Sequence, residues 1–382
     1  MTENGEEGRV DGAAQPNETS ATNLYCSLPK VPERVLSSEV IPPRARIIRS
    51  LGNLWTNGTV LHYYFFDQPT DGRNISLSDG TSEWRAWTAD ETQKDVVRRA
   101  FGNWKDLGIG LEFEEVESRD EAELRIGFEE GDGSWCYIGR EMLNQGRDKR
   151  TTNFGWDLTP PEEIDTAMHE IGHAMALEHE HQNPNSGIEW DEVAVYEYFA
   201  GRPNWWSRDD TYYNVIKRIS PDEIQGSSWD PNSIMEYQFV PHLIKRPEEY
   251  WETGLTPAGG LSERDKAWVK HFYPPLKEDE FEELVPFRSV QLAISEGAQR
   301  NFVIRPEATR QYSISTFGTL SDAVMALFEV ENGTPRYLTA EDDSGEPHNS
   351  NFRVKLFKGH TYILRIRLYW QGQAGETAVM MW

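Results

Sequence analysis

The 382-residue chain has little cysteine, fewer basic than acidic residues and no long apolar run. Its two cysteines, Cys26 and Cys136, allow at most one disulfide, which excludes a disulfide-stapled fold and is compatible with a reducing compartment. No apolar run approaches the roughly 18 residues of a membrane-spanning helix. Lysine and arginine number 38 against 64 acidic residues, a formal net charge of −26, which argues against binding to nucleic acid or an anionic membrane surface.

The most informative segment that is present is the run HEIGHAMALEH, which begins at His169. Residues four apart lie on one face of a helix, so His169 and His173 can point at the same ion. Glu170 projects about 100° away from His169, outside the ligand set but within reach of a water on the metal. His179 follows six residues after His173, and the chain must turn after about Met175 to bring it back.

Three histidines leave one position open for water, which is the pattern of catalytic rather than structural zinc. Water bound to zinc becomes a nucleophile near neutral pH, and Glu170 is the general base expected to activate it. The methionine-turn metalloproteases called metzincins carry the pattern HExxHxxGxxH. This chain has Ala176 at the glycine position, where a left-handed backbone costs alanine about 1–2 kcal/mol.

A second motif, SIMEY at residues 233–237, completes a resemblance to the astacin-like branch of the metzincins. The resemblance implies that Met235 forms the apolar floor of the Met-turn and that Tyr237 stabilises the oxyanion. Glu236 stands where the family has histidine. The site implied by the two motifs consists of zinc ligands His169, His173 and His179, catalytic Glu170 and Tyr237, and Met235.

The resemblance implies an α+β metzincin catalytic domain, in which a twisted mixed sheet accompanies the zinc-binding active-site helix and the Met-turn. Leu124–Phe128 and the segment 133–139 are expected to form the edge strand and the loop above the cleft. The predicted organisation is a flexible, propeptide-like segment at 1–44, the astacin-like zinc metallopeptidase domain at 45–276, a linker at 277–284 and a β-sandwich accessory domain at 285–382.

The C-terminal prediction depends on short β-type runs separated by glycine-containing turns, a pattern typical of a β-sandwich. This segment resembles the pre-peptidase C-terminal domain of bacterial proteases. Asp342 and Asp343 offer the oxygen ligands that calcium prefers, although a simple Asp-Asp-Ser-Gly turn is the favoured interpretation. One catalytic zinc ion is therefore the main expected cofactor, with calcium as a weaker second.

The resemblance also implies two disulfides in the catalytic domain, which this chain lacks. Three interpretations of Cys26 stay open at this point. It is a buried thiol without a special role, it pairs with Cys136, or it is a latency ligand that reaches the zinc from upstream of the catalytic domain.

These patterns predict a monomeric zinc-dependent endopeptidase that hydrolyses peptide bonds in protein or peptide substrates. The alternatives are a catalytically weak zinc-containing binding or adhesion protein that uses the β-sandwich, and a zinc hydrolase of non-peptide amides. The resemblance implies secretion, whereas residues 1–22 lack the basic and apolar regions of a signal peptide. Secretion, a cytoplasmic location and non-classical export are therefore all kept as expectations.

Overall fold

The computed structural model describes residues 24–31, 53–55, 57–77, 80–219, 228–275, 281–295, 298–318, 323–331, 334–341, 349–368 and 374–382. An α+β unit precedes an all-β unit in these ranges, and this order confirms the predicted fold class. No helix within the described ranges is long and apolar enough to cross a bilayer.

Within its described residues, the α+β unit consists of short strands and six α-helices. Its strands are β1 (Val60–Phe65), β2 (Gly72–Ser76), β3 (Ser82–Ala86), β4 (Glu112–Glu115), β5 (Leu124–Gly127), β6 (Trp135–Cys136), β7 (Thr152–Asn153), β8 (Glu189–Trp190) and β9 (Ile244–Arg246). Its helices are α1 (Glu91–Lys105), α2 (Ile164–Ala174), α3 (Glu192–Ala200), α4 (Arg208–Thr211), α5 (Glu249–Thr253) and α6 (Glu263–Phe272). Short 3₁₀ turns at Gly139–Asn144, Pro161–Glu163 and Glu180–Gln182 and a π turn at Tyr212–Ile216 connect them.

The main sheet of this unit is mixed, with strand order β4-β1-β5-β7-β6. Its neighbours are parallel except β6, which runs antiparallel to β7 and forms one edge. The prediction of an edge strand at Leu124–Phe128 is therefore wrong. The strand in that region, β5, lies in the centre and is buried along its whole length, and the edge belongs to the two-residue strand β6.

Helices α1 and α2 pack against this sheet and against each other. Asp90 caps α1 by accepting a hydrogen bond from the backbone N–H of Gln93 at 3.0 Å, which satisfies an otherwise orphaned donor. Trp104 is fully buried on α1, and its Nε1 donates to the carbonyl of Met168 on α2 at 3.0 Å. The two long helices are thereby fixed relative to each other directly beside the histidine motif.

Helix α6 closes the α+β unit and also holds the Met-turn. Ser262 and Asp265 form a reciprocal capping box at its N-terminus. The Asp265 carboxylate additionally accepts hydrogen bonds from the Ser233 hydroxyl at 2.6 Å and from the Ile234 N–H at 2.8 Å. Burial raises the pKa of Asp265, while these hydrogen bonds oppose the shift. One carboxylate therefore connects the closing helix to the turn that contains Met235.

The all-β unit is a sandwich of a five-stranded and a four-stranded sheet, as predicted. The strands are β10 (Glu282–Glu283), β11 (Val290–Ile294), β12 (Gln299–Ile304), β13 (Arg310–Thr316), β14 (Ala323–Glu331), β15 (Thr334–Glu341), β16 (Asn351–Leu356), β17 (Tyr362–Leu368) and β18 (Gly375–Met381). The strand orders are β10-β12-β17-β14-β15 and β11-β18-β13-β16, and buried apolar side chains fill the space between the sheets. Part of the predicted linker, 277–284, thus belongs to the sandwich, since β10 pairs with β12 and Leu284 lies in the core.

The sandwich packs one of its sheets directly against the α+β unit. All residues of β17 are buried, which requires cover on both faces of the strand. Val324 of β14 joins the core of the α+β unit, and the Tyr337 ring meets Trp55 edge-on with centroids 6.0 Å apart. Trp55 Nε1 in turn donates to the carbonyl of Ala174, the last residue of α2, at 2.8 Å. The sandwich therefore supports a residue that holds the end of the histidine-bearing helix.

Candidate metal centre and cleft

Helix α2 carries the first two predicted ligands on one buried face. His169 and His173 are 8% and 0% exposed, respectively, and their Nε2 atoms lie 3.1 Å apart. His169 Nδ1 lies 2.8 Å from the Ile234 carbonyl and His173 Nδ1 lies 2.7 Å from the Leu177 carbonyl. Because a carbonyl only accepts, each Nδ1 carries the proton and each Nε2 presents a lone pair.

The turn between the second and third histidines is a Schellman motif. Leu177 N–H bonds the Gly172 carbonyl at 3.0 Å, Ala176 N–H bonds the His173 carbonyl at 2.8 Å, and Ala176 has φ = 68°. The sequence predicts that the chain turns after about Met175 and that an alanine is strained at this position. Both features are present, since α2 ends at Ala174 and Ala176 adopts the left-handed conformation.

Replacing Ala176 by glycine should therefore stabilise the fold. Relief of the left-handed strain is worth about 1–2 kcal/mol, and the added freedom of the unfolded glycine offsets about 0.5–1 kcal/mol of that gain. We expect a net gain of about 0.5–1 kcal/mol in the free energy of unfolding, measured by urea denaturation.

Ala174→Gly is the matched control for this prediction. Ala174 lies in the last turn of the right-handed helix α2, where glycine costs about 1 kcal/mol. A loss of stability in Ala176→Gly as large as that in the control would contradict the strain assigned to the turn.

The third histidine completes a compact set of donors. His179 is fully buried, and its Nε2 lies 3.1 Å from that of His173. The thiol of Cys26 joins the set, and one donor atom from each of these four residues lies within 4.8 Å of the others. Burial lowers the pKa of all three histidines, to about 4 for His169 and well below the ordinary value for the other two.

The chemistry of this donor set fits a zinc ion. The Nε2 lone pairs of His169 and His173 converge at 3.1 Å and repel each other, since both histidines carry their proton on Nδ1. A cation between them removes that repulsion, and three imidazoles with one thiolate form a ligand set typical of zinc. The backbone carbonyls on Nδ1 of His169 and His173 are the outer partners that usually orient metal-bound histidines.

Glu170 lies beside the donor set and is fully buried. Its Oε2 is 3.6 Å from Cys26 Sγ, while its Oε1 has no hydrogen-bond partner among the described residues. Burial raises the pKa of Glu170 to about 8, and the contact with the Cys26 thiol opposes that shift. A buried carboxylate oxygen with no protein partner is available for a water or substrate group in the cleft.

Met235 packs directly beneath α2. A Cβ on Gly172 would lie 2.4 Å from Met235 Sδ, so only glycine permits this approach. The Met235 carbonyl accepts from the N–H of Glu180, the residue after the third histidine, at 3.0 Å. The Met-turn residue therefore lies under the histidine helix and is bonded to the segment of His179.

Tyr237 lies against the same histidines. Its ring centroid is 4.5 Å from that of His179, and its hydroxyl donates to the backbone carbonyl of Cys26 at 2.5 Å. Burial raises its pKa well above the ordinary value, and nearby Cys26 adds to the shift. The phenol therefore stays protonated near neutral pH and already donates to a carbonyl in the cleft.

Residues 24–31 occupy this cleft as an extended segment. Cys26 pairs with Ser134 in a parallel bridge beside strand β6, and Ser27 N–H bonds the Ser134 carbonyl at 3.0 Å. Leu28 N–H donates to Asn214 Oδ1 at 2.9 Å. Both cysteines are free, buried thiols, and burial raises the pKa of each. The disulfide between Cys26 and Cys136 that the sequence left open is not formed in this structure.

Two further histidines, His181 and His242, lie outside the donor set. His181 is buried, and its Nε2 is 2.9 Å from the Asn214 carbonyl. The ring of His242 packs against Trp251 with centroids 5.0 Å apart. Glu236, at the family histidine position, accepts from Trp229 Nε1 at 2.7 Å. Asp342 and Asp343, the weak calcium candidates, lie outside the described residues.

Sequence reasoning missed Asp265 and Tyr25. Asp265 holds the Met-turn, and the pattern Ser262-x-x-Asp265 was a readable capping box that pointed to the start of α6. Tyr25 precedes Cys26 and is buried among aromatic rings. Its role carries no local sequence signal, because its partners lie more than 170 residues away along the chain.

Three histidines on a helix and a left-handed turn, with a methionine beneath them, form a donor set that resembles the metzincin pattern. Residues 84–241 match the family model described as Astacin, a peptidase family. Zinc metalloproteinase nas-26 of Caenorhabditis elegans is 27% identical over 167 residues, which are 42% of this chain and 36% of that protein. The α+β unit is therefore astacin-like.

Solved structures give similarities for both units. The structure of myroilysin is 29% identical with a TM-score of 0.49, covering 59% of this chain and 97% of that chain. The pre-peptidase C-terminal domain of collagenase from Bacillus anthracis is 12% identical with a TM-score of 0.23, covering 28% of this chain and 99% of that domain. The chain spans at most 36% of the length of the curated relatives that it matches.

Proposed function

We propose that this protein is a zinc endopeptidase that the segment 24–31 keeps latent. The observation that carries the proposal is the buried donor set of His169, His173, His179 and Cys26, whose donor atoms lie within 4.8 Å of one another beside Glu170. The three histidines would hold the zinc ion, and Cys26 would occupy the position that a catalytic water needs. The catalytic domain spans residues 45–276, and the sandwich, which begins at 282 rather than at 285, packs against it as an accessory domain.

Zinc, when bound, would act as a Lewis acid that lowers the pKa of a bound water to about 7 and polarises the carbonyl group of a substrate. Glu170 Oε1, which has no partner among the described residues, accepts the proton of the attacking water. The same carboxyl group then delivers the proton to the leaving amine. Burial raises the pKa of this carboxyl group toward the working range of a general base.

Tyr237 supplies a hydrogen bond to the carbonyl oxygen that becomes negative during the attack. Its present bond to the Cys26 carbonyl, at 2.5 Å, supports this role because that carbonyl belongs to a peptide group beside the donor set. When the segment leaves, the hydroxyl is free to donate to a substrate oxygen in the same region. A fixed donor of this kind lowers the barrier only if it meets the developing charge.

Tyr237→Phe should lower kcat by about 10²–10³-fold with little change in KM, because an oxyanion donor acts mainly on the transition state. The measurement uses full-length protein that also carries Cys26→Ala, so that loosening of the segment by the lost hydrogen bond does not mask the effect. Tyr250→Phe, a tyrosine away from the donor set, is the control. A Tyr237→Phe enzyme with the kcat of its parent would exclude this role.

The proposed reaction is tested by cleavage of casein and of a quenched fluorescent peptide by the full-length Cys26→Ala protein. We expect cleavage that a zinc chelator abolishes and added zinc restores. Zinc binding without cleavage of either substrate would favour the binding or adhesion alternative. Hydrolysis of non-peptide amides alone would favour the amidase alternative.

A further inference from the structure

The side chain of Tyr25 fills a pocket whose walls are aromatic. Its ring centroid lies 4.8 Å from Phe199, 5.3 Å from Tyr237, 6.2 Å from Tyr198 and 6.3 Å from both Trp206 and Phe239. Three of these contacts are edge-on and two are tilted, and edge-on packing is one of the arrangements that aromatic pairs prefer. Phe199 and Phe239 are almost completely buried while Tyr25 is present, so its departure opens an apolar cavity.

Cys26, the residue after Tyr25, shows where this pocket lies along the cleft. Tyr25 immediately precedes Cys26, whose thiol belongs to the metal donor set. The segment pairs with the backbone beside edge strand β6, in the manner of an extended peptide added to a sheet. A substrate that replaces the segment along the same edge therefore brings a side chain next to the cleaved bond into the pocket.

We infer that the Tyr25 pocket is a substrate subsite that selects a bulky aromatic side chain at one of the two positions flanking the cleaved bond. This inference rests on the proposed function. Aromatic walls favour a flat apolar ring, and a charged side chain would lose its hydration without an opposite charge. Tyrosine is accepted as well as phenylalanine because the Tyr198 hydroxyl lies 3.4 Å from that of Tyr25.

The first test compares cleavage of matched peptides by full-length protein that carries Cys26→Ala. The peptides differ only at the two residues that flank the cleaved bond, where Tyr, Phe, Ala or Lys is placed. We expect kcat/KM to be roughly 10- to 100-fold higher with Tyr or Phe than with Ala at one of these positions, since ring burial favours binding. Equal cleavage of all the peptides would overturn the inference.

Variants of the pocket wall make the test specific to this site. Phe199→Leu should reduce the preference for aromatic residues, and Tyr198→Phe should reduce the preference for Tyr over Phe. Tyr198 is only partly buried, so its variant is expected to fold even if Phe199→Leu does not. Unchanged preferences in folded variants would place the aromatic subsite elsewhere and overturn the assignment.

A second measurement does not depend on catalysis. In metal-free, full-length Cys136→Ala protein, the rate at which iodoacetamide alkylates Cys26 reports how often the segment leaves the cleft. Tyr25→Ala should raise that rate at least about tenfold, whereas Tyr25→Phe should change it little. Equal rates in all three proteins would overturn the inference. Absent peptide cleavage together with a large Tyr25→Ala effect would reject the proposed enzyme but retain an aromatic-binding pocket.

Discussion

Full-length protein that carries Cys26→Ala should cleave peptides at least about tenfold faster than the wild type. The physical reason is that a thiolate is a strong zinc ligand, and a ligand on the same chain acts at a high effective concentration, in the millimolar range. Removal of the sulfur opens the metal position and also removes the contact with Glu170, which now spans 3.6 Å. Initial rates on a quenched fluorescent peptide with zinc-loaded protein measure the effect.

Cys136→Ala is the matched control for Cys26, since both residues are free and buried thiols. Cys136 instead contacts the Tyr137 carbonyl at 3.2 Å and the Thr152 hydroxyl at 3.1 Å, and its thiol is not part of the donor set. Its replacement should not raise activity. If Cys26→Ala is folded and zinc-loaded but no more active than the wild type, Cys26 is not a latency ligand.

The second large effect is expected at Glu170. In the Cys26→Ala background, Glu170→Gln should retain zinc and lose about 10²–10⁴-fold in kcat, because glutamine has nearly the same shape but cannot accept and return a proton. Zinc content by mass spectrometry and peptide cleavage rates measure the two parts of this expectation. The zinc content distinguishes the two possible causes of lost activity. A variant that keeps its zinc has lost only the base.

Glu162→Gln supplies the control for Glu170. Glu162 is exposed in the turn that precedes α2, so the same chemical change there should leave the rate unchanged. A Glu170→Gln variant with the turnover of its Cys26→Ala parent would exclude the proposed base. A variant that loses zinc as well as activity would indicate that Glu170 helps to hold the metal, contrary to the role assigned to it here.

The metal helix was predictable because its determinants are local. Spacing alone brings His169 and His173 to one face, and the third histidine requires a turn whose position near Met175 follows from the helix geometry. The alanine in a left-handed conformation was also foreseeable, because the family pattern has glycine there. The observed φ of 68° at Ala176 agrees with that expectation.

The contacts of the N-terminal segment were not predictable in the same way. Cys26 lies 144 residues before Glu170 in sequence, so no periodicity reports their approach, and three roles for the thiol stayed open. Strand β6 was missed as the edge because two residues are too few for a recognisable alternation. Tyr25 and its pocket depend on rings from several separate elements, which only tertiary packing brings together.

The sequence contains only a weak indication of where the sandwich lies relative to the α+β unit. In a sandwich with one solvated outer face, strands should alternate apolar and polar residues. Instead, β14 begins AVMALF and these six residues are all buried. Such a run indicates cover on both faces, although it does not identify the second partner as the catalytic domain.

The most direct test of the account is zinc K-edge X-ray absorption on full-length, zinc-loaded wild-type protein. We predict one zinc ion with three nitrogen neighbours at about 2.0–2.1 Å and one sulfur at about 2.3 Å. The histidines and Cys26 would supply these ligands. A spectrum without sulfur would contradict the latent state, and a protein that does not bind zinc would contradict the proposed enzyme itself.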